Sequence, residues 1–121
     1  MLKKTIKFVD YNDVEREEDF YFNLNKAEVT EMELSMDGGM MQYIEKIVAE
    51  KDGPSMIKLW KDLILKSYGE KSPDGRLFVK TEELQVAFTQ TEAYSILFME
   101  LAQSAELAAN FVNGILPQFE S

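Results

Sequence analysis

The chain has 121 residues, no cysteine, no histidine, and 22 acidic against 13 basic side chains, for a net charge of −9. That length suits one domain that buries a core without disulfide or metal, and an apolar share of 45% is more than a disordered chain carries. The balance excludes thiol chemistry and argues against a phosphate-backbone ligand. No run approaches the ~18 apolar residues of a membrane span, so a soluble cytoplasmic protein is expected.

The N-terminus is basic (Met1-Leu2-Lys3-Lys4), but it leads into alternation and not into the apolar block of a signal peptide. Lys3 to Val9 puts Ile6 and Phe8 on one face, and Glu18 to Leu24 puts Phe20, Phe22 and Leu24 on another. Asp10-Tyr11-Asn12-Asp13 lies between them and supplies turn chemistry, so residues 1–24 read as a β-hairpin. A lone hairpin is marginal in water, so its aromatic face must pack on helices.

From Asn25 the period becomes helical. Asn25 with Glu28 forms a capping box ahead of Val29, Met32 and Met36, and Asp37-Gly38-Gly39 breaks that helix. Met40, Met41, Ile44, Ile47 and Val48 mark a second helix, ended by Asp52-Gly53-Pro54. A third runs from Pro54 to about Tyr68, with Trp60 as core anchor and Gly69 as the left-handed residue that closes it. Ser72-Pro73-Asp74-Gly75 reads as a type I turn, followed by a short extended stretch, Arg76 to Lys80.

Thr81 then caps a short helix, and Thr89 with Glu92 resembles a second capping box that opens a helix to about Gln103. That helix is apolar on most sides (Tyr94, Ile96, Leu97, Phe98, Met99, Leu101), which places it centrally with neighbours around it. Ser104 caps a last helix closed by Asn113-Gly114, and residues 117–121 form a tail. The expected class is α+β: a hairpin, then about six helices over 25–116, in a single domain of residues 1–121.

Little in this chain suggests catalysis. Without histidine the usual general base and the commonest transition-metal ligand are missing. The run Glu15-Arg16-Glu17-Glu18-Asp19 lacks the order of a calcium loop, and a strand would point those groups to opposite sides. Gly69-Glu70-Lys71-Ser72 ends like a phosphate loop but lacks the earlier glycine and the preceding strand. No catalytic, cofactor or metal residue is assigned. Apolar contact is the better use of what remains: Met40 and Met41 are adjacent and cannot both face one stripe, and Phe111, Ile115, Leu116 and Phe119 follow at the C-terminus. These six are the candidate partner-binding residues.

The stretches E-R-E-E-D-F-Y-F-N-L, N-K-A-E-V-T-E-M-E-L, S-Y-G-E-K-S-P-D-G-R-L-F-V-K, Q-T-E-A-Y-S-I-L-F-M-E-L-A and F-V-N-G-I-L-P span nearly the whole chain. Together they resemble the tail assembly chaperones encoded in tail gene clusters of Gram-positive siphophages and prophages. The resemblance implies a non-catalytic protein of the host cytoplasm that binds the tape measure protein, helps recruit tail tube subunits, and is absent from the mature virion. It carries no catalytic residues, and self-association into a homo-oligomer stays open. Three other readings stay open as well: a tail completion or head–tail joining protein, an acidic inhibitor that imitates DNA, supported by the −6 charge of residues 1–53 against −3 for 54–121, and an enzyme, which would need a tight metal requirement or a ligand in a closed polar pocket.

Overall fold

In a computed structural model, which describes residues 1–35, 38–39, 42, 45–46, 49 and 53–117, the alternating N-terminal segments form the expected hairpin. β1 (Leu2–Val9) runs antiparallel to β2 (Glu15–Phe22), with Leu2 opposite Phe22 and Val9 opposite Glu15. Ile6 and Phe22 are buried on the inner face, while Lys3, Thr5, Lys7 and Val9 face outward. Asp10 builds the turn. Its Oδ1 accepts from the N–H groups of Asn12 (2.8 Å) and Val14 (3.0 Å), and Asp13 takes the left-handed conformation at φ 61°. Arg16 donates to the other carboxylate oxygen of Asp10.

Five helices with defined ends occur among the described residues, one fewer than expected: α1 (Lys26–Ser35), α2 (Gly53–Ser67), α3 (Glu82–Thr89), α4 (Glu92–Gln103) and α5 (Ala105–Ile115). The helix expected over Met40 to Val48 falls largely outside the described residues. The local capping signals hold where side chain and backbone can meet. The Asn25 N–H donates to Glu28 Oε1 (3.0 Å) while the Glu28 N–H donates to Asn25 Oδ1 (2.8 Å), a complete reciprocal box. Thr81 accepts from the Leu84 N–H and Ser104 from the Leu107 N–H.

Three expectations need correction. Gly69 does not end α2. It lies in β3 (Tyr68–Lys71), which pairs with β2 and with β4 (Phe78–Val79), so the sheet has four antiparallel strands in the order β1-β2-β3-β4. A Cβ on Gly69 would stand 2.7 Å from the Val79 carbonyl oxygen, so close strand approach is what requires glycine here. The Ser72–Gly75 turn is the tip of that second hairpin, closed by Gly75 N–H to Ser72 O at 2.9 Å. Thr89 donates to Val86 O inside α3, and Thr91 caps α4 instead. Gly114 lies within α5, where a Cβ would touch the Leu2 methyls at 2.9 Å.

The core sits between the inner face of the sheet and the helices, as the aromatic hairpin demanded. Phe22 meets Phe88 and Phe111 edge-on, at 5.8 and 5.4 Å between ring centroids, and Tyr68 stacks flat on Phe88 at 4.2 Å. α4 is central, packing on β1, α2, α3 and α5. It buries Ala93, Leu97 and Leu101. Trp60 is buried among these groups, and its indole N–H has no hydrogen-bond partner among the described residues.

Candidate functional site

The six residues singled out for partner contact do not form one surface. Met40, Met41 and Phe119 lie outside the described residues. Phe111 and Ile115 are interior, which corrects the expectation that they offer contact to a partner. Phe111 packs on Phe22, and Ile115 is fully buried with its carbonyl accepting from the Leu24 N–H at 2.8 Å. Leu116 is half-buried and packs against the core. The chain after α5 therefore begins as core and not as an apolar flag.

Other apolar residues remain uncovered. On α4 the residues turned away from the core are Glu92, Ser95, Ile96, Met99, Ala102 and Gln103, with Ile96 36% and Met99 45% exposed. Helical spacing puts them on one stripe, and only Glu92 in it is charged. Ordinary surface helices carry charge there. Across from α4, Ile57 on α2 is 55% exposed.

Between α2 and α4 runs an open groove of about 360 Å³. Its apolar lining is Ile57 from α2 with Tyr94 and Phe98 from α4, and Tyr11 from the β1–β2 turn closes one end. Lys61 stands one turn beyond Ile57 on the same face of α2. The Tyr11 hydroxyl lies near Glu92 at the start of α4. Desolvation first, and then that carboxylate, pushes the Tyr11 phenol above its ordinary pKa.

Two larger concavities are more polar. One of about 500 Å³ is walled by Lys7, Glu15, Arg16 and Glu17 on the first hairpin. Another of about 490 Å³ is walled by Glu28, Glu31, Lys66 and Lys80. In both, some of the charged groups are paired: Lys7 with Glu17, Arg16 with Asp10 and Glu18, Lys80 with Glu28. No group of three or more acidic side chains converges into a possible metal site among the described residues. None of their helices is long and apolar enough to cross a membrane.

What the arrangement offers is a place to hold apolar side chains. Residues 1–119 match the family model for the phage tail assembly chaperone. The chain belongs to that phage tail assembly chaperone family. No curated protein and no solved structure matches it. For a tail assembly chaperone the relevant partners are proteins of tail assembly.

Sequence reasoning missed Ile57, Ile96 and Met99. The signal was present in α4, apolar on more sides than its neighbours cover. An all-round apolar helix was read as fully enclosed, whereas here one side stays open to solvent.

Proposed function

We propose that this protein binds the tape measure protein during tail assembly, holding one of its apolar helical segments in the groove between α2 and α4. The observation that carries the reading is the continuity of that groove with the uncharged Ile96–Met99 stripe. An isolated exposed leucine is normal on any protein, but a groove and a bare helix face side by side are a holding surface. The net charge of −9 supports the same role by keeping a complex with an apolar partner dispersed.

In this reading the protein works in the host cytoplasm without catalysing a reaction, helps bring tail tube subunits to the tape measure protein, and leaves before the virion is finished. Met40, Met41 and Phe119 are further contact residues in this proposal. Co-expression with the tape measure protein of the same gene cluster tests it. The tape measure protein is expected to become soluble and co-purify, while purified virions lack the chaperone. An insoluble tape measure protein, or the chaperone present in virions at stoichiometric amounts, would count against the reading.

A further inference from the structure

We propose that the segment held between α2 and α4 is an amphipathic helix with a carboxylate on one flank, and that Lys61 receives it. The inference rests on the holding role above and adds the chemistry of what is held.

The groove sorts its groups by availability. Its apolar lining is Ile57, Tyr94 and Phe98. The threonine hydroxyls on its walls are already engaged. Thr91 Oγ1 donates to Phe88 O at 2.7 Å and accepts from the Tyr94 N–H, and Thr89 Oγ1 donates to Val86 O at 2.6 Å, while Glu92 lies exposed near the Tyr11 hydroxyl. Lys61, like Ser95, is exposed and makes no hydrogen bond or ion pair among the described residues, and it is the one cation among the described residues that line the groove. An ammonium at the rim of an apolar groove is the group that selects an occupant by charge.

The surroundings strengthen that selection. α2 carries Lys58, Lys61 and Lys66 against the single acid Asp62, a locally positive helix on a chain of net charge −9. At physiological salt the screening length is about 8 Å, so contact is governed by Lys61 and the charges beside it, Lys58, Asp62 and Glu92, and not by the distant acids. The occupant is helical because both walls are helices and offer few free backbone groups. A helix satisfies its own N–H and C=O groups, whereas an extended segment would leave them unpaired against Ile57 and Phe98.

The test uses two designed helical peptides with the same leucine stripe, flanked by glutamate in one and by lysine in the other. Fluorescence anisotropy with the full chain at physiological salt is expected to show the glutamate peptide binding about threefold to tenfold tighter, against the pull of the protein's overall charge. The exposed substitution Lys61→Glu should reverse the order, and Lys61→Gln should abolish it. Equal binding, or preference for the lysine peptide by the wild-type chain, overturns the proposed carboxylate partner while the groove stands. If neither peptide binds, or if Ile57→Ser binds both as the wild type does, the holding role of the groove falls with it.

Discussion

Lys80 Nζ donates at 2.6 Å to Glu28 Oε2 and at 2.6 Å to the Asn23 carbonyl oxygen, tying the end of the second hairpin to the capping box of α1. Glu28 thus serves two partners: one oxygen receives the Asn25 N–H and the other the lysine. The Lys80 side chain is largely shielded, so this pair is worth more than an exposed one. Lys80→Met is expected to cost about 1–2 kcal/mol in urea denaturation, because the Asn23 carbonyl and Glu28 both lose their donor. A loss no larger than that of a surface lysine would show that the link is not structural.

At the opposite end of β2, Asp10 gives the fold an acid-sensitive point. The Arg16 guanidinium first, and then the N–H groups of Val14 and Asn12, hold its carboxyl below the ordinary value of 3.8. A depressed folded-state pKa contributes stability above that ordinary value and loses it as pH falls through the folded-state pKa. Melting temperature should therefore drop on acidification below about pH 4. Asp10→Asn should flatten that part of the curve while lowering stability at neutral pH. An unchanged acid limb would remove Asp10 from the explanation.

Gly69 is held by backbone and not by a movable side chain: the Val79 carbonyl leaves no space for a methyl group. Gly69→Ala should cost about 1–3 kcal/mol and disturb the β3–β4 pairing. Amide exchange at Glu70 and Lys71, which pair with Val79 and Phe78, would report it. Wild-type protection in the variant would show that the strands can part at little cost.

The C-terminus offers a sharper contrast. Ile115 is fully buried and its carbonyl anchors Leu24, whereas residues 118–121 lie outside the described residues. A chain ending at Pro117 should keep its thermal midpoint, and Ile115→Ala should lose about 2–5 kcal/mol. Removal of residues 115–121 would therefore confuse unfolding with lost binding. Equal stability of the Ile115→Ala variant would contradict the core assignment.

Much of this fold was legible because its signals are local. Asn25 and Glu28 need only each other, as do Asp10 and Asn12, Thr81 and Leu84, or Ser104 and Leu107. What escaped depends on residues distant in the chain. Tyr68-Gly69 reads as a helix end until Phe22 and Tyr21 arrive to pair with it, and Gly114 reads as a terminator until Leu2 settles on it. The site was harder still. Phe111 and Ile115 looked like spare apolar residues because their partners, Phe22 and Leu24, come about ninety positions earlier. Ile96 and Met99 looked enclosed because periodicity counts apolar faces without counting neighbours to cover them.

The central claim is that this tail assembly chaperone works by holding an apolar segment against the α2–α4 groove. Capture of the co-expressed tape measure protein by the wild-type chain, Ile57→Asp and Met99→Asp tests it most directly, since both positions are exposed and both variants should fold. The expected result is soluble, co-purified tape measure protein with the wild type and at least a tenfold loss with either variant, about 1.4 kcal/mol or more. Undiminished capture by both folded variants would contradict the account.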